Sequence, residues 1–399
     1  MKQVKLSLLR NLALLWVFFF PCHSIYAIES YDSLQISLLT CAPHDQIYSL
    51  YGHTAIRLKD TSEGYDIVVN YGLFDTSAPH FVLRFVFGLT DYCMGISSFE
   101  LFRQEYAYYG SEVSQQTLNL TQEEKASIME AIRVNALPEN LVYRYNYFYD
   151  NCTTRARDML VNHLSGKVHY KSDIDEKATF RQFVHSCNVN HPWARFGNDI
   201  LLGIQADFPT TRQEQQFLPR NLKRDFSNAD IVMDDGSTRP LISEEIVVIP
   251  PGEQTTESGF PLSPTACAMI LLAVAIVLTI AEVLKKANPW IFDMLLMIST
   301  GLAGILLFLM LFSVHPTVRV NLQLLLLNPL PLFFIYPVTK RMRKRQPHTW
   351  WRIWATLIIL FLIGRFFQQY AEGTLILALT LLLRCVAREY TRKKQKHLQ

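Results

Sequence analysis

The sequence predicts an exported α+β domain followed by an all-α transmembrane bundle, and three observations predict it. The formal net charge of +3 over 399 residues is an average of unlike parts. Thr265–Gln399 holds 16 Lys and Arg against 4 Asp and Glu; the first 27 residues hold Lys2, Lys5 and Arg10 and no acid; Ile28–Pro264 keeps the other 19 bases against 31 acids. Apolar runs long enough to cross a bilayer succeed one another beyond Thr265. The acidic segment mixes strand-like alternation with capped amphipathic helices. Such a split excludes a single uniform soluble globule. It also excludes a nucleic-acid binder, because the acidic part would repel phosphate and the basic part is mostly apolar sequence.

The N-terminus has a basic start, an apolar run Leu12–Phe20 and a small residue at the end of Ser24-Ile25-Tyr26-Ala27. This predicts a secretory signal peptide over residues 1–27, with an uncleaved anchor as the alternative, and either one places the acidic segment outside the cytoplasm. Cys22 comes after Phe20-Pro21, which lacks the small residues of a lipoprotein signal. A soluble domain is expected over 28–250. Pro250-Pro251-Gly252 and the polar stretch Glu253–Ser258 read as a linker, 251–264, before a membrane domain over 265–388. Its expected spans are Ala266–Leu284, Ile291–Phe312, a Pro-interrupted Leu322–Val338, Trp350–Phe367 and a shorter Leu375–Ala387. Lys285-Lys286, the cluster from Lys340 to Arg345 and the basic tail 389–399 mark the cytoplasmic side, so five spans put the C-terminus inside and the acidic domain outside.

Within the soluble domain, Leu34–Thr40, His53–Leu58 and Ile67–Tyr71 read as strands. Thr121–Asn135 opens with a Thr-x-x-Glu box and carries apolar residues at helical spacing, which predicts a capped amphipathic helix. Asn151–Leu164 predicts another, capped by Asn151. Cys41, Cys93, Cys152 and Cys187 in an exported domain invite two disulfides, but their spacing shows neither a metal pattern nor a compact scaffold, and no cofactor is called for.

Cys152 stands out by context. At a helix start, free backbone N–H groups and the helix dipole favour the thiolate. Full ionisation would multiply the nucleophile roughly thirtyfold over an ordinary thiol at neutral pH. His53, in Tyr51-Gly52-His53-Thr54-Ala55-Ile56-Arg57, opens a strand after a glycine and is the best partner among seven histidines of the domain. Asn70, at the end of the next strand, is the candidate third group; a turn-capping role for it is an even alternative. Tyr51, Tyr149 and Arg57 are weaker candidates for binding substrate.

Leu39-Thr40-Cys41-Ala42-Pro43, Tyr51 to Arg57, Asn70-Tyr71-Gly72-Leu73-Phe74-Asp75 and Tyr145 to Arg155 together resemble the periplasmic domain of Lnb-type lipoprotein N-acyltransferases of Bacteroidetes, and the multispan tail resembles that family's layout. One departure is His44, where glycine is expected. The resemblance implies a permuted papain-like fold of the NlpC superfamily, with the histidine strand ahead of the cysteine helix, in a bacterial inner-membrane protein whose N-terminal domain is periplasmic. It implies that Cys152 takes an acyl chain from a membrane phospholipid and passes it to the α-amino group of a diacylated lipoprotein, with His53 moving the protons. The lipid bilayer is then itself a partner. Ser313-Val314-His315-Pro316 and Asn321–Pro329 read either as bordering a lipid entry or, as is more common for Pro-broken spans, as packing features. Two readings compete: a membrane-anchored cysteine hydrolase, acting on peptidoglycan peptides or lipid thioesters with water in place of the amine, and a non-catalytic scaffold whose Cys152 is disulfide-bonded.

Overall fold

The computed structural model describes residues 31–396 apart from 45, 47, 48, 76, 78, 255–258 and 347. The signal-peptide expectation for residues 1–27 and the last residues of the basic tail lie outside the described residues. In chain order the soluble part runs β1 (Leu34–Cys41), β2 (His53–Asp60), β3 (Tyr65–Leu73), α1 (Phe81–Val86), β4 (Asp91–Ser98), α2 (Phe99–Tyr108), β5 (Val113–Leu118), α3 (Gln122–Asn135), β6 (Val142–Arg144) and α4 (Cys152–Val161). It continues with β7 (Lys167–Tyr170), α5 (Phe180–Cys187), α6 (Pro192–Leu201), α7 (Pro219–Ser227), β8 (Ala229–Val232), β9 (Thr238–Pro240) and β10 (Ile242–Ile249).

The first three strands form where Val, Ile and Leu alternate or run together. Each begins or ends on the turn residues that the sequence supplies. They pair antiparallel, from Leu34↔Asp60 to Cys41↔His53 and from Ala55↔Asn70 to Asp60↔Tyr65. Among the described residues they form the middle of a seven-stranded sheet of order β10-β5-β1-β2-β3-β4-β6, with β7, β8 and β9 in a small second sheet. The central strands are buried on both faces. Ile36, Leu38, Ile56, Val69 and Tyr71 meet Ile128 of α3, Ala156 and Leu160 of α4, and Leu222 and Phe226 of α7. Leu39, Cys41, Ala55 and Val68 meet Phe99, Phe102 and Tyr106 of α2. At roughly 1.5–3 kcal/mol for each fully buried aliphatic or aromatic side chain, these two layers fix strand register and the site built on its end.

The expected helix caps form. Thr121 and Glu124 exchange side chain and backbone hydrogen bonds at the start of α3, and Asn151 and Thr154 do the same at the start of α4. The two disulfides that four cysteines invited do not form: Cys41, Cys93, Cys152 and Cys187 are all free thiols.

Beyond residue 263 come α8 (Pro264–Val283), α9 (Trp290–Met310), α10 (Leu330–Arg343), α11 (Trp350–Gly364) and α12 (Thr374–Lys396). By length and composition α8, α9 and the stretch Pro316–Arg343 can cross a membrane, and α11 is a shorter apolar helix. The third expected span differs most. A one-turn helix Pro316–Arg319 lies ahead of it, its first residues Leu322–Leu325 form a 3-10 turn, and the regular helix starts only after Pro329, which caps it. A proline fits the first turn, where no N–H is needed, so the helix begins there rather than at Leu322; Pro337 is carried inside it. The fourth span stops at Gly364 rather than Phe367, and the fifth runs on from Thr374 through the basic stretch. Trp350, Trp351 and Trp354 are fully buried at the centre of the bundle with Leu296, Met297 and Phe361.

The soluble domain is bolted to this bundle. The Gly203 and Ile204 N–H groups donate to the Thr317 and Val320 carbonyls (2.7 and 2.8 Å), and a Cβ at Gly203 would fall 2.2 Å from the Val320 oxygen. Gln323 donates to the Asp199 carbonyl (2.7 Å), Gln368 to that of Leu202 (3.1 Å) and Asn321 to that of Ile200 (2.7 Å), while Arg195 pairs with Glu372 (2.6 Å). Behind this seam, buried Arg181 bridges Asp199 (2.8 Å) and Asp207 (2.7 Å), and Asp207 accepts in turn from the Gln369 N–H (3.0 Å).

Candidate active site

α4 presents Cys152 as its first residue. Asn151 closes the helix: its Oδ1 accepts from the Thr153 and Thr154 N–H groups, both at 2.9 Å, and its Nδ2 donates to the carbonyls of Tyr147 (3.0 Å) and Phe217 (2.9 Å). Every hydrogen-bonding position of this amide is used inward, so the cap cannot swing away. It takes the second and third N–H groups of the helix and leaves that of Cys152 at the open end, where the positive end of the dipole acts on a thiolate or on an oxyanion.

β2 brings His53 to this point. Gly52 turns the chain at φ 75°, and a Cβ there would sit 2.6 Å from the Cys41 carbonyl oxygen, so the turn that delivers the histidine needs glycine. His53 and Ala55 share one face of the sheet, and Ala55 pairs with Asn70 of β3, which makes Asn70 the diagonal neighbour of His53. The imidazole Nε2 and Asn70 Oδ1 are 3.1 Å apart. An amide oxygen only accepts, so this bond puts the proton on Nε2 and leaves Nδ1 as the basic nitrogen toward the thiol. On the opposite face Thr54 Oγ1 donates to Thr153 Oγ1 (3.2 Å), which ties the strand start to the helix start. Gly72, at φ 93° in an irregularity of the β3–β4 ladder, completes the enclosure: its Cβ position lies 3.8 Å from the Cys152 Cβ.

The electrostatics favour an ion pair. Burial pushes the Cys152 thiol up, but the His53 imidazolium beside it, a hydrogen bond from that ring, the Thr54 N–H and the Thr153 hydroxyl outweigh burial and hold it at about 7. Burial pulls His53 down, and the Cys152 charge and hydrogen bond, with the bond to Asn70, more than reverse this and raise it above its ordinary value. Thiol below and imidazole above their usual positions describe a thiolate–imidazolium pair at neutral pH. Its buried neighbour Cys41 behaves oppositely: burial drives it far above the ordinary thiol range despite a hydrogen bond from Tyr106. Burial also raises Cys187.

Cys152, His53 and Asn70 are therefore brought together from three separate stretches of chain. The weaker candidates are not. Arg57 spends its donors on Asp66 (2.8 Å) and Gln115 (2.7 Å) and lies over the Phe99 ring at 3.4 Å. The Tyr51 hydroxyl accepts from Asn188 (2.7 Å) and Asn198 (2.9 Å), and its ring meets Tyr147 edge-on. Tyr149 is half exposed with its ring edge-on to Phe180. All three have structural occupations. His44, the departure from the resemblance, stacks flat on Tyr109 at 4.3 Å. Sequence reasoning missed Thr54 and Thr153 as a bonded pair, although each stands next to a residue it did select. Among the described residues no group of three or more His, Cys, Asp or Glu side chains could hold a metal ion.

Two family models match the chain: the Lnb N-terminal periplasmic domain over residues 24–186 and the Lnb transmembrane domain over residues 255–396. No curated protein and no solved structure matches it.

Proposed function

We infer that this chain, an Lnb-type protein with that family's periplasmic domain ahead of its membrane domain, is a lipoprotein N-acyltransferase that works through a Cys152 thioester. The observation that carries the reading is a thiol at a helix start, held near neutral pKa by a histidine that Asn70 orients, in a periplasmic domain fastened to a membrane bundle. A membrane bundle fastened to this domain supports a lipid substrate, since a hydrolase of soluble peptides does not require one.

In the proposed cycle the Cys152 thiolate attacks the ester carbonyl of a membrane phospholipid. The oxyanion forms against the Cys152 N–H at the open end of α4. As the C–O bond breaks, the His53 imidazolium gives its proton from Nδ1 to the departing lysophospholipid alkoxide, and the acyl chain is left on sulfur. The uncharged α-amino group of a diacylglyceryl-cysteine lipoprotein then attacks the thioester. His53, now neutral, takes the amine proton; the C–S bond breaks and the thiolate–imidazolium pair is restored beside an amide-linked third chain. Asn70 keeps Nε2–H engaged throughout, so Nδ1 is the nitrogen that gains and loses the proton. General acid–base help of this kind contributes roughly 10²–10⁴ in rate. Anchoring enzyme and both lipids in one leaflet replaces encounter from solution with a fixed height above the bilayer. The proposed setting is a bacterial inner membrane, with the signal of residues 1–27 removed, a periplasmic domain over 28–250 and a cytoplasmic C-terminus: the turns that touch the periplasmic domain, around 313–323 and 365–372, alternate with the basic ends at Lys285, Lys340–Arg345 and the tail.

The test is expression of the wild type and Cys152→Ala in a strain depleted of its own apolipoprotein N-acyltransferase, with mass spectrometry of lipoprotein N-terminal peptides. An amide-linked third chain is expected with the wild type and not with Cys152→Ala. Lipoproteins that stay diacylated in the presence of wild-type protein would overturn the assignment.

A further inference from the structure

A turn of apolar helix stands exposed beside the candidate site. α1 carries Leu83 and Phe85, each about half exposed, in the connection between β3 and β4. The end of this segment is fixed to the membrane domain: the Val314 N–H donates to the Phe87 carbonyl (3.0 Å), and a Cβ at Gly88 would fall 2.8 Å from both the Val314 and His315 side chains. Phe312 and Val314, just beyond the end of α9, are themselves exposed. The apolar face of α1 therefore continues the lipid-facing surface of the second span, at the height where acyl chains meet headgroups. Its occupant is the bilayer, since water would meet this face at a cost and the neighbouring surface already belongs to lipid.

From α1 an aromatic file leads inward. Phe85 stacks on Phe81 (6.3 Å between ring centroids) and Phe81 on Phe74 (5.9 Å); Phe74 leans on Tyr92 (4.9 Å), which stacks on Tyr145 (4.1 Å). Its inner end reaches the nucleophile. Phe74 stands two residues, about 7 Å of extended chain, beyond Gly72, whose Cβ position is 3.8 Å from Cys152. Tyr145 is close enough that, after burial, the Cys152 charge is the next cause opposing its ionisation.

Two arginines flank this file, Arg84 next to Phe85 and Arg144 next to Tyr145 in the chain. Arg84, on α1 between Phe81 and Phe85, and Arg144, the last residue of β6, both pair with Asp91, and both donate to the Leu89 carbonyl. Two guanidinium groups share one carboxylate, so the cluster keeps a net positive charge, and each arginine is between a third and a half exposed. Asp91 and Leu89 orient the planar forks without consuming all their donors, which suits an incoming phosphodiester.

We propose that Arg84 and Arg144 hold the phosphate of the phospholipid donor while its acyl chain lies along Phe85, Phe81 and Phe74, which brings the ester to Cys152. The proposal rests on the acyl-transfer reading of the site and adds how the donor is chosen. Diacylglycerol carries the same esters without the phosphate and is the discriminating substrate. Full-length protein in phosphatidylethanolamine vesicles, with or without added diacylglycerol whose acyl chains are isotopically labelled, is monitored by intact mass for the acyl group on Cys152. The wild type is expected to acylate from phospholipid at least about tenfold faster than from diacylglycerol, and Arg84→Gln/Arg144→Gln to lose that preference, a difference of about 1.4 kcal/mol or more. Alkylation of Cys152 at the wild-type rate shows the variant folded; if it does not fold, Arg84→Lys/Arg144→Lys, which keeps charge and loses the planar fork, carries the test and should lose part of the preference. A wild type without preference, or a folded variant that keeps it, overturns the phosphate site alone. A wild type that forms no thioester on either donor overturns the acyl-transfer reading and this proposal with it.

Discussion

Replacing His53 with alanine should separate the ionisation of Cys152 from everything else that holds it. In the wild type the thiol titrates at about 7, so half is thiolate at neutral pH. Without His53 the upward push of burial remains, and the Thr54 N–H and Thr153 hydroxyl are the smaller opposing influences. The thiol then titrates at or above its unperturbed 9.0, and about 1% is thiolate at pH 7, a loss of about fiftyfold in nucleophile. The alkylation rate falls less than this, because a thiolate of higher pKa is intrinsically more nucleophilic. With a Brønsted coefficient of about 0.45, two units recover about eightfold, leaving a net loss of about sixfold at neutral pH. The midpoint is thus the sharper readout. Iodoacetamide labelling of the full-length protein, quantified on the Cys152 peptide from about pH 5 to about pH 10, should rise through about 7 in the wild type. The His53→Ala curve should rise only through the ordinary thiol range or above it. Buried Cys41, held far above that range, serves as the silent control in the same digest. Coincident wild-type and variant midpoints, or a wild-type midpoint already in the ordinary range, would refute the ion pair.

Three further outcomes are expected from the same geometry. Asn70→Ala removes the one bond at His53 Nε2, worth about 1–1.5 kcal/mol, and should slow acyl transfer about tenfold while leaving the alkylation midpoint within about half a unit of the wild type; an unchanged transfer rate would show that Asn70 does not orient the ring. Asn151→Ala loses two caps on α4 and strands the Tyr147 and Phe217 carbonyls, so thermal unfolding should report about 1–2 kcal/mol of lost stability, and the alkylation midpoint should move upward as the helix start frays. Arg181→Met leaves Asp199 and Asp207 buried without their shared cation, and should cost about 3–5 kcal/mol in the unfolding of the detergent-solubilised protein; a variant as stable as wild type would mean that the Asp199–Asp207 seam adds nothing to stability.

The features readable from the sequence were local ones. The strands that carry His53 and Asn70 show their own alternation, and the cap boxes at Thr121 and Asn151 are written within four residues, because capping pairs a side chain with backbone three positions on. The elements of the candidate site were equally visible: a cysteine after a capping asparagine, a histidine after a glycine. Arg57 was misleading for a physical reason. A cation a few residues along the strand from the histidine reads as a ligand for substrate, and only the long-range partners Asp66, Gln115 and Phe99 show its donors committed. The third span was blurred for another: hydropathy averages over Leu322–Val338 and is blind to the irregular turns ahead of Pro329, where the Leu322 N–H is met by Gln368 from elsewhere in the chain.

The same irregular stretch also fastens the domain that carries Cys152 to the membrane bundle. The irregular stretch after α9 offers backbone carbonyls and amide side chains sideways, and it is there that Gly203, Ile204 and Asp199 are gripped, while Gln368, beyond α11, takes the Leu202 carbonyl. Asp199 in turn receives Arg181, the neighbour of Phe180; Phe180 packs on Phe217, and the Phe217 carbonyl accepts from Asn151, the cap of Cys152. Each link is buried, so the chain from Gln323 to Cys152 has no soft joint of the kind a surface loop would supply. A continuous regular helix would have satisfied the Thr317 and Val320 carbonyls within itself and left neither for Gly203 and Ile204. The loss of regular helix between Arg319 and Leu330 thus leaves the Thr317 and Val320 carbonyls without partners in their own helix, and these seat the domain that carries Cys152.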